Sequence, residues 1–248
     1  MAAGADYLFD KAPRTQDGTL IHLGDMVWDD TLIVVIPFLL EMWQSTGEAH
    51  YLDEAVAQMQ GHAAHLQDPA TGLYHHAWAE AADAYTGPSY WGRGNGWALW
   101  AQAAVLAALP PADVRRPPLL AAFRRHAAAL AAVQSADQPA DQPADPSAAG
   151  QWRTVVTRPD FYAETSATAL ISAGLLLAAA HGLDAGTLLT PAQAGAAATW
   201  RQVSADGTVR GVSGPTGPMQ EEEAYNRIPV ADFTLYGQGF VLLVGAGV

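Results

Sequence analysis

Two short stretches carry the side chains best suited to chemistry. The first, Trp91-Gly92-Arg93-Gly94-Asn95-Gly96-Trp97, sets two indoles, a permanent cation and three glycines at the head of an apolar segment. A helix starting near residue 93 places Arg93 and Trp97 four apart on one face, a guanidinium beside a flat apolar wall. Arginine can grip a carboxylate through two parallel hydrogen bonds, and an indole covers the C–H face of a sugar. The pair therefore suits an anionic ring such as a sugar acid. The glycines permit close approach and positive φ at a turn, and plain packing of a helix start is the competing account. Their spacing matches neither a dinucleotide fingerprint nor a P-loop.

The second stretch, Trp28-Asp29-Asp30-Thr31, precedes the apolar run 32–40. Capping and dipole compensation account for an acid at a helix start. Adjacent residues diverge by about 100° around a helix, so Asp29 and Asp30 are not expected to form one catalytic pair; one caps while the other faces inward. An inward carboxyl against Trp28 is desolvated, keeps its proton near neutral pH and can donate it. In Tyr74-His75-His76-Ala77-Trp78 the two imidazoles point to opposite faces of an extended chain, and no third ligand has metal-site spacing. No metal is expected, and one histidine is left to line a cleft. Glu164 precedes Thr165 and Ser166, which explain themselves as caps, with Glu164 a weaker cleft candidate. The run Glu221-Glu222-Glu223 reads as solvated loop.

The elements that position these residues are helical. Ala, Leu and Gln dominate long segments and alternating β-branched runs are scarce, which predicts an all-α domain with helices over 30–45, 49–67, 93–108, 118–134, 165–181, 191–203 and 236–245. Gly turns at Gly18, Gly72, Gly150 and Gly207 recur every ~55–80 residues, one helical hairpin plus a connection. Stacked hairpins bury their apolar faces on one another and form an open array or a ring. The segment 136–146, with Ala-Asp-Gln-Pro twice in succession, is a low-complexity loop. The 248 residues, half of them apolar, are read as one domain over 1–248. A net charge of −13 with no basic patch argues against nucleic acid and anionic membranes, and zero cysteines exclude disulfides and thiolate chemistry. No export signal is visible near Met1, so a cytoplasmic location is expected.

The ordered set Pro13-Arg14-Thr15, Asp17-Gly18, His22, Trp28-Asp29-Asp30, Pro37-Phe38-Leu39, residues 71–78, residues 91–97, Glu164-Thr165-Ser166-Ala167 and Gly237-Gln238-Gly239-Phe240 resembles the unsaturated glucuronyl and rhamnogalacturonyl hydrolases of glycoside hydrolase family 105, related to family 88. The resemblance implies an (α/α)6 toroid. It also implies hydration of the C4=C5 bond of a terminal unsaturated uronic acid, without metal or organic cofactor, on a small oligosaccharide substrate. Carried over by position, Asp30 is the general acid and base, with Asp29 in a variable slot. His76 is the cleft histidine, Arg93 lies near the uronate carboxylate, Trp28, Trp91 and Trp97 wall the pocket, and His22 matches a substrate-side histidine. About two N-terminal hairpins and a second Asp of the family have no counterpart here. Either the chain is a fragment, or a partner such as a second copy in a homo-oligomer covers the open ring, or the protein is inactive; the alternative function is a non-catalytic sugar-acid-binding remnant or an inactive fragment of such an enzyme.

Overall fold

The computed structural model describes residues 2–135, 148–184, 186–231 and 234–246, so the low-complexity segment lies outside the described residues. The helices are α1 (Ala2–Asp10), α2 (Asp30–Thr46), α3 (Ala49–Leu66), α4 (Gly92–Ala108), α5 (Arg116–Ala132), α6 (Thr165–Ala180), α7 (Leu189–Arg201), α8 (Glu222–Asn226) and α9 (Leu235–Gly245). The seven expected helices are present within two residues at each end. Helices α1 and α8 and five short strands are additions to the expected pattern. The strands are β1 (Met26–Trp28), β2 (Ala77–Ala79), β3 (Ala84–Gly87), β4 (Val212–Ser213) and β5 (Val230–Ala231). Runs of two to four residues are too short for alternation to reveal them.

Helix ends follow local chemistry. Helix α2 stops at Gly47, whose φ of 73° lets its N–H reach Trp43 O. Helix α5 begins with prolines in its first turn, where no amide donor is lost. Helix α9 starts on Thr234, whose side chain accepts from Gly237 N.

The helices form two layers. Helix α4 packs on α2 at one side and α6 at the other, α6 packs on α9, and α3, α5 and α7 each pair with the preceding inner helix. Helices α4 and α6 are buried almost all round, which is why they are apolar all round, whereas α3, α5 and α7 show one buried stripe. On α2, Leu32, Ile36 and Leu39 are fully buried on one face, each contributing about 2 kcal/mol. Helices α2 and α9 end the inner layer among the described residues, and they leave Val34, Leu235 and Leu242 exposed.

The repeated Gly turns are one structural unit. Gly18, Gly72, Gly150 and Gly207 have φ between 81° and 91°, a left-handed conformation that only glycine adopts freely. In the first and last units an Asp one residue earlier accepts from the amide after the glycine: Asp17 from Thr19 N, Asp206 from Thr208 N. Single bridges, Arg14 with Leu20, Gln67 with Tyr74 and Val203 with Val209, close three of the turns. The connections that follow run along the rim where α2, α4, α6 and α9 begin.

Candidate active site

Backbone pairing brings the Trp28–Thr31 stretch against the stretch that carries His75 and His76. Strand β1 runs antiparallel to β2 with Trp28 opposite Ala77, and β2 continues to β3. Just beyond the β1–β2 pair, Asp29 N donates to His76 O at 3.1 Å, and His76 N donates to Gly87 O at 3.0 Å. The imidazole of His76 is thereby held over the start of α2, while His75 turns away to Pro88 O and the Tyr85 and Tyr90 rings. The opposite-face expectation for these histidines matches that arrangement.

Around His76 the side chains form a proton network. Its Nε2 lies 3.2 Å from Asp30 Oδ2 and 3.9 Å from Asp29 Oδ1, and its Nδ1 lies 2.7 Å from the Tyr225 hydroxyl. Burial lowers the His76 pKa, with the hydrogen bond and charge of Asp30 opposing, so the ring is neutral at pH 7. A neutral ring donates from one nitrogen only. Nε2–H to the carboxylate and Nδ1 accepting from the tyrosine satisfies all three groups, and the tyrosine oxygen also accepts from Met219 N at 3.0 Å. Trp91 stacks on His76 at 4.4 Å, and Trp28 meets it edge-on. The exposed His22 stacks on Trp28 at 4.5 Å and bonds Thr31 Oγ1 through Nδ1, forming a shelf beside Asp30.

The two aspartates do share one site, contrary to the divergence expectation. One oxygen of each and a His76 nitrogen lie within 4.8 Å of one another. Cα–Cβ bonds tilt toward a helix N-terminus, so both carboxyls lean toward a ring placed over the helix end whatever their angle about the axis. Their environments differ sharply: the Asp29 side chain is 0% exposed and that of Asp30 is 18% exposed. Asp29 sits at the N-cap position without making a cap hydrogen bond. It is Asp29, not Asp30, that is the desolvated inward carboxyl. Burial first, then the charge and hydrogen bonding of Asp30, raise its pKa well above the usual carboxylate range, with Arg93 opposing.

The three glycines of residues 92–96 are helical, without the positive φ the sequence allowed. Their role is close approach. A Cβ at residue 92 would lie 2.4 Å from Arg153 O, at 94 it would lie 1.9 Å from Asp29 Oδ2, and at 96 it would lie 2.7 Å from Leu170 Cβ.

Residues 1–248 match the sequence profile of Glycosyl Hydrolase Family 88 from end to end. The chain belongs to that family. It is 32% identical over 250 residues to the unsaturated rhamnogalacturonyl hydrolase YesR of Bacillus subtilis (strain 168), covering 96% of this chain and 66% of that protein. It is 25% identical to an unsaturated 3S-rhamnoglycuronyl hydrolase of Alteromonas sp. (strain LOR), covering 88% of this chain and 50% of that one. Among solved structures, a possible GH105 member from Salmonella enterica serovar Paratyphi A superposes with a TM-score of 0.89 at 26% identity, over 99% of this chain and 64% of the other. The chain thus spans half to two thirds of the length of these relatives, and its helical layers have the toroid architecture of the family.

Within this family-88 chain, two expected cleft residues are engaged elsewhere. Arg93 is 3% exposed, with Nη1 donating to Ser166 Oγ, Ser213 O and Ser213 Oγ and Nη2 to Gly214 O and Thr216 Oγ1. Trp91, Trp97 and Tyr236 surround its guanidinium. It does not lie open to a carboxylate; it anchors 213–216 to the start of α4. Glu164 is the α6 cap, accepting from Ala167 N, Ser166 Oγ and Ser213 N, with no exposed surface. Thr165 and Ser166 are therefore not the caps. Trp97 is buried against Trp91 and walls the site only through it.

Tyr225 escaped the sequence reading because Glu221-Glu222-Glu223 looked like solvated loop. In fact Glu222 and Glu223 open α8 and pair with Arg158, seating Tyr225 in the core. The spacing of Tyr225 and Ile228 behind an acidic first turn was the available signal.

Asp29, Asp30 and His76 are also the described residues whose ligand atoms approach closely enough to suggest a cation. No helix among the described residues is long and apolar enough to cross a membrane.

Proposed function

We propose that this chain is a glycoside hydrolase that removes a terminal 4,5-unsaturated uronic acid from lyase-generated oligosaccharides by hydrating its double bond. The observation that carries this reading is the partly open Asp30 carboxyl, aimed by His76, itself aimed by Tyr225, beside the Trp28–His22 shelf. One carboxyl suffices for hydration. Asp30 must enter the cycle with its carboxyl protonated: it gives that proton to C4, the water that adds at C5 returns a proton to the Asp30 carboxylate, and the resulting hemiketal opens and releases the neighbouring sugar. A direct displacement needs two carboxyls flanking the bond, at least about 5 Å apart, and Asp29 is buried on the same side as Asp30. The names of the two relatives, both unsaturated-uronide hydrolases, point to the same substrate class.

The test is to incubate the protein with unsaturated uronyl disaccharides and follow loss of the ultraviolet absorbance of the conjugated double bond. The wild type should consume it, and Asp30→Asn, with unchanged melting, should be at least about 10²–10⁴-fold slower. No loss with any uronide, or an undiminished rate in Asp30→Asn, overturns the reading. Calorimetric binding without turnover would instead support a sugar-acid-binding protein.

A further inference from the structure

Among the described residues, Asp29 is the carboxyl whose two oxygens are both buried without a hydrogen-bond partner by strict geometry, and the residue is fully buried. Gly94 is what makes room for it, since a Cβ there would overlap Oδ2. A niche built at the cost of a helical glycine, around an acid that caps nothing, asks for another role.

The charged and titratable groups facing it are Asp30 on its own helix, His76 before β2, Arg93 on α4, Tyr225 on α8 and, beyond Asp30, His22. Apart from the backbone N–H of Asp30, none supplies a donor to this buried carboxyl. Arg93, the nearby cation, spends its terminal nitrogens on Ser166, Ser213, Gly214 and Thr216. An uncharged acid, by contrast, has one O–H to give, and the carboxyl it faces is Asp30. Moving that proton onto Asp30 would leave the charge on the enclosed member of the pair, which no side chain donates to, so the proton stays where it is.

We propose that Asp29 is a positioning residue for the reaction of Asp30: a buried carboxylic acid whose O–H is donated to the Asp30 carboxyl, fixing it from beneath while His76 fixes it from the side. The inference rests on Asp30 being the reacting carboxyl. It gives the adjacent aspartates opposite tolerance of asparagine. Asp29→Asn keeps an uncharged donor of the same shape, and kcat should stay within about threefold of wild type. Asp29→Leu keeps the shape without the donor. It should melt at or above the wild-type temperature, because a buried polar group has been replaced by an apolar isostere, while kcat falls at least about tenfold and KM changes less than about twofold.

If Asp29→Asn is as slow as Asp30→Asn, Asp29 works by ionising and the proposal fails. Full activity in Asp29→Leu means that the side chain only fills space, and the proposal also fails. A second readout does not depend on turnover. The difference infrared spectrum of wild type minus Asp29→Asn should show the C=O stretch of a protonated carboxyl at neutral pH. Absence of that band overturns the proposal even if no uronide is consumed, and its presence in an inactive protein leaves Asp29 protonated while the hydrolase reading alone falls.

Discussion

Two buried polar clusters lie side by side on the rim where the inner helices begin, and they differ in what they leave unsatisfied. Around Arg93, every strong group has a partner: the guanidinium binds carbonyls and hydroxyls of 213–216, Glu164 accepts from Ala167 and Ser213 amides, and Tyr236 donates to Ser213 O. Around His76, both Asp29 oxygens and the indole N–H groups of Trp28 and of Trp91, which the two clusters share, are without partners. Saturated buried networks specify architecture, whereas unsatisfied ones persist where the chemistry of the site needs them. The Arg93 cluster ties down the loop 213–216; the His76 cluster is the candidate site.

The sharpest way to break that division is Arg93→Met. If the cluster is architectural, leaving the Ser213 and Gly214 carbonyls and the Glu164 charge uncompensated should cost about 3–5 kcal/mol, a fall in melting temperature of roughly 10 °C. Melting like wild type together with a sharply raised KM would mean that Arg93 reaches the substrate, as its place in the sequence first suggested.

Gly94→Ala tests the seam between the clusters. An alanine normally improves a helix by about 1 kcal/mol over glycine, but here its Cβ would sit 1.9 Å from Asp29 Oδ2. The expected net loss is about 2–3 kcal/mol by thermal unfolding. The penalty should shrink in an Asp29→Ala background, since the two residues contend for one space. An equal penalty in both backgrounds would place the strain elsewhere.

How far the sequence carried these clusters depends on the range of the interactions involved. Helix positions were legible because periodicity, caps and Gly turns are local, and the turns at Gly18 and Gly207 share even an Asp-to-amide hydrogen bond. Asp30, His76 and the tryptophans were legible through the family resemblance, and the structure gathers Asp30, His76, Trp28 and Trp91 at one point. What was not legible were the partners supplied from far along the chain. Tyr225 joins His76 across 149 residues, and Ser213 joins Arg93 across 120. Spacing shows that Arg93 shares a face with Trp97 but not that a later loop claims its donors. Asp29 was misread for a related reason: helical angles describe divergence around the axis, whereas the ring it meets lies over the helix end.

The pH dependence of stability separates the clusters again. An acid that keeps its proton in the native state loses stability as pH rises through the ordinary carboxylate range, because only the unfolded chain then ionises. Burial is the first cause of the raised Asp29 pKa, so Asp29→Asn should stabilise the protein at pH 7, with most of that gain gone at pH 4, near the unfolded-state carboxylate value of about 3.9. Chemical denaturation at both pH values measures it. A gain that persists at pH 4 would reflect packing and not the proton.

The smallest expected effect concerns how far the reactive cluster extends. Tyr225→Phe removes the hydroxyl whose proton Nδ1 of His76 accepts, and also the oxygen that accepts from Met219 N. His76 is then free to carry its proton on Nδ1, which turns an Nε2 lone pair toward the Asp30 carboxylate 3.2 Å away. Population of that tautomer should lower kcat about tenfold, or about 1.4 kcal/mol, with KM nearly unchanged and about 1 kcal/mol of stability lost. If kcat holds while stability drops, the tautomer is set by the Nε2–Asp30 bond alone. Tyr225 then belongs with Arg93 among the groups that build the rim, and the reactive cluster ends at His76.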